Sequence, residues 1–274
     1  MSSDDLEQLD SHFKFGENWS DFSQGITKKH IQEARQSFIT LVGTDDLSQQ
    51  RFLDIGCGSG LFSLAASSLN AEHVLSTDID PNSVKTTQHV LEQFATHKNY
   101  ACQQISVFDL DPKTQGTFDI VYSWGVLHHT GSMYKAITHA ASMVAPNGKL
   151  VIALYRKTKL CGWWKFEKRL YSRAPKFIQA LLRYPFAGLL LLAYCAKGKT
   201  PRKLFNEYKE KRGMSFMHDI HDWLGGYPYE SITPHELHQF AAQIGFKVER
   251  EYTRPPGMEA LFGSGCDEYV LKRI

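Results

Sequence analysis

One feature constrains this chain more than any other: an apolar strand pattern that runs directly into three alternate glycines. Phe52-Leu53-Asp54-Ile55 leads into Gly56-Cys57-Gly58-Ser59-Gly60, and an Ala- and Leu-rich helical pattern follows over Leu61–Leu69. Glycines at such a turn let the backbone approach a ligand with no Cβ in the way, and the following helix N-terminus favours an anionic group. The dinucleotide fingerprint needs its third glycine three places after the second, where Leu61 stands. A P-loop is excluded as well, because no Gly-Lys-Ser/Thr follows. On its residues alone the segment reads either as a ligand cradle or as a tight turn without one.

Around this turn, strand and helix patterns alternate. Strand patterns fall at Arg51–Ile55, His73–Thr77, Gln103–Val107, Phe118–Ser123 and Lys149–Tyr155. Helical patterns fall at Leu61–Leu69, from Pro81 to Phe94, and over Met133–Val144, with Asn147-Gly148 as a turn. The strands are apolar on both faces, which predicts a Rossmann-like, doubly wound parallel α/β sheet covered by helices on two sides. A helix is expected from Ile26 to Val42 with Gly43 as its stop, preceded by a cap-like leader carrying Phe13, Phe15, Trp19 and Phe22. The alternation pauses at Arg156 and resumes with a helix at Pro234–Ile244 and strands at Phe246–Tyr252 and Glu268–Lys272. No helical pattern separates those last two strands, so an antiparallel edge is predicted. The chain thus divides into an N-terminal cap (1–44), a core (45–155), a helical insertion (156–232) and a C-terminal return to the core sheet (233–274). The insertion leaves strand five near the strand C-termini, where open α/β sheets bind ligands.

Charge is segregated. The chain of 274 residues carries 31 Lys and Arg against 29 acids, a net of +2, but Arg156 to Arg212 holds sixteen cations and three acids. That segment is locally +13, and the remainder is 15 − 26 = −11. Such asymmetry predicts that one surface meets something anionic. Five cysteines (Cys57, Cys102, Cys161, Cys195 and Cys266) form no C-x-x-C pair. That argues against a disulfide framework or structural zinc and for a reducing, cytoplasmic setting. The acidic, polar N-terminal residues match no secretory or transit pattern.

Two further acids extend the glycine turn. Asp78 ends the second strand, where a carboxylate can accept hydrogen bonds from ribose hydroxyls, although it can also cap the next helix; Asp80, just before Pro81, is the better N-cap. Asp109 follows the third strand, where an acid can receive an exocyclic amine. With Phe118-Asp119-Ile120-Val121 opening strand four, this order of motifs resembles the class I S-adenosylmethionine-dependent methyltransferases over roughly residues 45–155 and, more weakly, the last forty. The resemblance implies a seven-stranded sheet with an antiparallel last strand and S-adenosylmethionine as cofactor. It also implies that Gly56, Cys57, Gly58 and Gly60 line the methionine end, with Asp54 supporting the turn. Asp78 would bind the ribose, Ile79 would pack on adenine, Phe108 and Asp109 would hold the base, and the strand end from Ser123 to Leu127 would face the sulfonium.

Methyl transfer is an in-line displacement that demands alignment, and a base helps when the acceptor must lose a proton. His128 and His129 follow strand four, as a base or as groups that orient the loop. In the insertion, His218, His221 and Asp222 share one helical face, which reads as a metal set or, preferably, as a pocket wall; no metal is expected. Gly225-Gly226 permits a close approach, and Tyr227 is placed in the acceptor pocket with His218. The expected acceptor is a small or lipid-linked molecule methylated on oxygen or nitrogen. An RNA-modifying enzyme is an alternative, as is a protein that binds the cofactor without transfer or for other chemistry.

The insertion also mixes aromatics and cations (Trp163 to Tyr171) and then runs through an apolar stretch, Phe177–Ala196. Its uncharged part, Tyr184–Ala196, makes roughly 20 Å of helix against a hydrocarbon core of about 30 Å, and a span would split one sheet across a bilayer. Spanning is therefore rejected. The alternatives are an anionic membrane surface at the inner face of a membrane, a lid or dimer contact, and a nucleic-acid platform.

Overall fold

The computed structural model describes residues 26–196, 198, 200–201, 216–253 and 265–274. The leader aromatics Phe13, Phe15, Trp19 and Phe22 lie outside them, as does the side chain of His218. Seven strands form one sheet in the order β3-β2-β1-β4-β5-β7-β6. They are β1 (Arg51–Ile55), β2 (His73–Asp78), β3 (Tyr100–Gln104), β4 (Phe118–Trp124), β5 (Val144–Tyr155), β6 (Phe246–Tyr252) and β7 (Cys266–Arg273). Strands β1 to β5 pair in parallel, and β7 runs antiparallel to both β5 and β6. The last two strands thus form the expected antiparallel edge, with β7 interior and β6 outermost. Chain order cannot reveal that the last strand slots between two earlier ones.

Period-two alternation explains why the sheet is covered on both faces. Leu53, Val121, Leu150, Ile152 and Leu271 point to one side, where helices α5 (Met133–Ser142) and α9 (Pro234–Gln243) supply Ile137, Ala140, Leu237 and Ala241. Their neighbours Phe52, Ile120, Val151 and Val270 point to the other side, against α1 (Lys28–Val42) and α2 (Leu61–Ser68). Continuous apolar runs are what a doubly covered sheet requires. Local signals set the helix ends. Asp80 accepts the Asn82 amide ahead of Pro81 at the start of α3 (Pro81–Phe94), and Thr233 and Glu236 form a capping box on α9. Gly43 closes α1 at φ 79°. The third strand ends earlier than expected: Val107–Asp109 is a 3-10 turn, begun by the Ser106 hydroxyl accepting the Phe108 amide. A one-turn helix, α4 (Pro112–Gln115), precedes β4.

The segment between β5 and α9 builds its own small core. Helices α6 (Cys161–Arg173), α7 (Lys176–Ala196) and α8 (Phe216–Gly225) pack through Tyr171, Ala187, Phe216, Ile220 and Leu224. Entry and exit lie side by side, since Arg156 bridges to Ile232, and Lys157 N–H donates to the Ile232 carbonyl at 2.9 Å. Arg156 is clamped by Asp267 of β7 at 2.6 Å, with Asp267 buried. Pro185 does not interrupt α7, whose 21 residues run roughly 32 Å and are long and apolar enough to cross a membrane. Length therefore does not exclude spanning. Ala187 and its neighbours pack against α6 and α8, in a body whose two ends root on one sheet.

Candidate functional site

Gly56, Gly58 and Gly60 all adopt positive φ, at 76°, 50° and 77°. The turn is fastened from both sides. Gly56 and Cys57 amides donate to the Thr77 carbonyl, and the Gly60 amide donates to the Cys57 carbonyl. Gly58 is held at both ends, its N–H donating to Asp78 Oδ2 at 3.2 Å and its carbonyl accepting from Thr87 Oγ1 at 3.2 Å. A Cβ on Gly56 would sit 2.4 Å from the Val126 side chain, so the β4 exit loop closes directly over the turn.

Asp78 accepts from the Gly58 amide with one oxygen and from the Asp80 amide, at 2.9 Å, with the other. It therefore ties the glycine turn to the start of α3, and each oxygen keeps a further lone pair as an acceptor. Burial pushes its carboxyl up to about 6, while these two amide bonds act in the opposite sense. Asp54 is set deeper. Its carboxylate accepts from Ser63 Oγ at 2.6 Å, Ser76 Oγ donates on to Ser63, and burial raises its pKa to about 7. It anchors the first turn of α2 from beneath and presents no atom to the cradle. Cys57 contributes its backbone, with its thiol buried and pushed well up by that burial.

The base end forms a cavity of about 350 Å³ lined by Ile79, Gln104, Ile105, Ser106, Phe108 and Asp109. The cavity brings together Ile79, Phe108 and Asp109, the residues that the resemblance places at the base, and adds Gln104, Ile105 and Ser106, which lay outside the sequence expectation. The Ser-x-Phe-Asp pattern, a hydroxyl starting a tight turn, could have marked Ser106. Gln104 Nε2 donates to the Ile79 carbonyl at 3.2 Å, and Phe108 lies edge-on to His139 with Lys135 over its ring. Ser123 departs from expectation: it is fully buried, and its hydroxyl donates to the Ile55 carbonyl at 2.9 Å, so it fastens β4 to β1 and does not face the cofactor.

Past β4, the structure separates the two histidines. His128 is fully buried, stacked against Tyr155 at 4.0 Å, and its ring nitrogens lack hydrogen-bond partners among the described residues. Burial, then the neighbouring His129, hold it well below the ordinary histidine range and therefore neutral. It packs the loop and does not reach an acceptor. His129 is half-buried, its amide donates to the Val126 carbonyl, and its Nδ1 lies 2.7 Å from the Pro228 carbonyl oxygen. A carbonyl only accepts, so Nδ1 is the donor in this contact, and the proton fixed there sets the tautomer.

Gly226 makes this arrangement possible, since a Cβ there would come within 3.1 Å of His129 Cε1. The close approach foreseen for the Gly225-Gly226 pair is therefore made to a histidine ring. Tyr227 is buried beside it. His221 Nδ1 is hydrogen-bonded to the Tyr171 hydroxyl at 2.8 Å, and no group of three or more His, Cys, Asp or Glu converges among the described residues. At the sheet's other flank, Trp124 Nε1 donates to Glu268 at 2.7 Å beside a second cavity of about 310 Å³ between α1, Tyr252 and Glu268. Sequence reading gave no signal for this pair, which is separated by 144 residues.

The fit to an adenosyl-methionine group is good. Positive-φ glycines leave the turn open for the methionine end, Asp78 is tied to that turn through the Gly58 amide, and a cavity of mixed apolar and polar lining that includes Asp109 adjoins Ile79.

Residues 27–251 match the family model described as "Methyltransferase domain". A ubiquinone biosynthesis O-methyltransferase of Xanthomonas euvesicatoria pv. vesicatoria is 35% identical over 114 residues, covering 41% of this chain and 46% of that protein. Its counterpart from Rickettsia felis is 28% identical over 166 residues, covering 58% of this chain and 65% of the relative. The chain thus spans about half the length of the first of these curated relatives. Among solved structures, magnesium protoporphyrin IX methyltransferase from Synechocystis PCC 6803 with bound SAH superposes with a TM-score of 0.53 at 18% identity, over 89% of this chain and 84% of that one. PKMT2 from Rickettsia typhi, in complex with AdoHcy, gives 0.56 at 16% identity, over 88% and 52%. At such identity these likenesses concern the fold.

Proposed function

The chain belongs to the methyltransferase-domain family, in its class I, S-adenosylmethionine-dependent form, and from that premise we propose that it methylates an oxygen of a small, apolar or lipid-linked acceptor. The O-methyltransferase names of the relatives support oxygen as the nucleophile, and the absence of any C-x-x-C pair supports a cytoplasmic setting.

One observation carries this reading. The loop leaving β4 presses Val126 onto Gly56 and, one 3-10 turn later, presents His129 with Nδ1 committed to Pro228. The donor's grip and a candidate base are thereby built into one short segment.

S-adenosylmethionine supplies an electrophilic methyl group on a sulfonium that leaves without charge. The chain's own residues do the rest. The glycine turn and Asp78 would hold the donor, and Ile79 and Phe108, which line the adjoining cavity, would offer apolar contact to its base. His129 Nε2 receives the acceptor's hydroxyl proton as the new C–O bond forms, worth about 10²–10⁴ in rate for a positioned base. His129 then carries the charge with its Nδ1–H still donating to the Pro228 carbonyl. Holding acceptor and methyl in line supplies a further ~7–11 kcal/mol of the barrier. Tyr155 and Tyr229 pack on each other with ring centroids 5.3 Å apart and back the His129 loop with aromatic surface.

Two measurements test the reading. Calorimetry should show S-adenosylhomocysteine binding to the wild type and losing strength markedly in Asp78→Ala. Methyl-labelled cofactor incubated with cell fractions should place label in the organic extract. Absence of cofactor binding removes the premise, whereas binding with label in RNA, or with none transferred, overturns the acceptor assignment.

A further inference from the structure

Helix α6 carries apolar side chains on both faces, with Cys161, Trp164 and Tyr171 turned inward and others left in the open. Its inward face holds Lys168, only 2% exposed, with its ammonium donating to the Trp223 carbonyl and lying 4.1 Å over the Trp223 ring. Its outward face displays Trp163, Phe166 and Leu170 at 61%, 55% and 56% exposure, spaced to form one stripe. Helix α7 continues the apolar surface. Phe177 and Leu192 are 71% and 69% exposed, with Leu181 and Leu189 between them, and Ala187 is the one residue of the helix that is buried among those described. A patch of this size on a soluble chain marks an interaction surface. Between the apolar side chains stand exposed Lys165, Arg169 and Lys176, and over residues 161–196 six cations face a single acid, Glu167.

We propose that the outward faces of α6 and α7 form an interfacial docking surface for an anionic phospholipid bilayer, on which the protein lies without spanning. An apolar stripe with Trp at one end, long aliphatic side chains along its length and cations interleaved is the arrangement that enters the headgroup region and meets anionic lipid. A second copy of the chain would bring the same excess cations face to face, and nucleic acid offers nothing apolar for Leu181, Leu189 and Leu192 to bury against. Charge and apolarity are satisfied together only by lipid. The opposite faces of both helices are already occupied by the small core with α8, so the orientation is fixed. The root of these helices at Arg156 and Ile232 adjoins Tyr155, against which both His128 and His129 pack. Docking thereby sets the acceptor side of the proposed site near the membrane plane. The docking surface does not depend on the nature of the reaction.

Vesicle flotation of the full chain tests this, with phosphatidylcholine vesicles prepared with and without phosphatidylglycerol. The wild type should float with the anionic vesicles and not with the neutral ones. Lys165→Gln and Arg169→Gln should each weaken binding about fivefold, as expected for one cation at an anionic surface. The pairs Trp163→Asp with Phe166→Asp, and Leu181→Asp with Leu189→Asp, should abolish flotation while S-adenosylhomocysteine affinity stays at the wild-type level. In the unmodified protein, brominated lipid should quench tryptophan emission, because Trp163 enters the interface. A wild type that never floats with anionic vesicles, or emission untouched by brominated lipid, overturns the proposal. So does a lipid-free dimer that Leu181→Asp converts to a monomer, which would assign the face to a second copy. Retained cofactor binding in any of these cases leaves the methyltransferase reading standing.

Discussion

His129 Nδ1 and the carbonyl oxygen of Pro228 lie 2.7 Å apart, joining the end of β4 to the segment that returns from the helical insertion 99 residues later. The contact fixes the tautomer and gives the two adjacent histidines different work. His129→Gln should lower kcat by about 10²–10⁴ with little change in cofactor affinity. His128→Phe replaces a buried, neutral imidazole with an apolar ring of similar shape, and should leave kcat within a few-fold and stability unchanged or improved. Steady-state kinetics and thermal unfolding on both variants check this; equal losses of kcat would remove the distinction.

Gly56→Ala meets two obstacles, a φ of 76° and the Val126 side chain 2.4 Å from the new methyl. The expected cost exceeds about 1 kcal/mol in stability, accompanied by weakened cofactor binding. Val126→Ala in the same chain should recover the part due to the clash and not the part due to the dihedral. A double-mutant cycle read by urea unfolding separates the two.

The proposed contact of Asp78 with the ribose requires its carboxylate in the ionised form. Its folded pKa is raised to about 6 by burial, so the native protein takes up a proton that the unfolded chain, near 3.8, would not. Affinity for S-adenosylhomocysteine should therefore be full above about pH 7 and fall about tenfold for each pH unit below 6. In Asp78→Asn the affinity should be lower and the pH dependence of this group lost. Calorimetric titrations between pH 5 and 8 decide the matter, and a flat wild-type profile would contradict the ribose assignment.

Arg156 and Asp267 form a pair with little solvent access, 2.6 Å apart, at the root of the insertion. Removing one partner strands the other charge, so Arg156→Met should cost about 3–5 kcal/mol in urea unfolding. Asp267→Asn keeps a neutral acceptor and should cost less. Tyr269, whose hydroxyl donates to the same carboxylate, ties the loss to β7.

Several parts of this architecture were legible without coordinates, because they are encoded over short stretches. The apolar run into Gly56, Gly58 and Gly60, Asp80 before Pro81, and Gly43 as the stop of α1 each act within a few residues. Backbone sterics and local hydrogen bonds settle them wherever the chain ends up. The pattern of paired apolar faces in Phe52-Leu53 and Ile120-Val121 likewise fixed a sheet covered on both sides.

Other features were decided only by contacts between distant segments. Ser123 and Asp54 carry polar groups at site-like positions, yet one is spent on Ile55 and the other on Ser63, because neighbouring elements offer partners before any ligand can. Nothing in His128-His129 distinguishes the buried ring from the one facing Pro228. That choice rests on where Tyr155, Gly226 and the returning strand of the insertion come to lie. The insertion shows the same limit at larger scale. Its sequence determined an excess of cations and apolar side chains, but the burial of Lys168 and the exposure of Trp163 and Phe166 follow from how α6, α7 and α8 share a core. Packing selects faces, and periodicity alone supplies only the candidates.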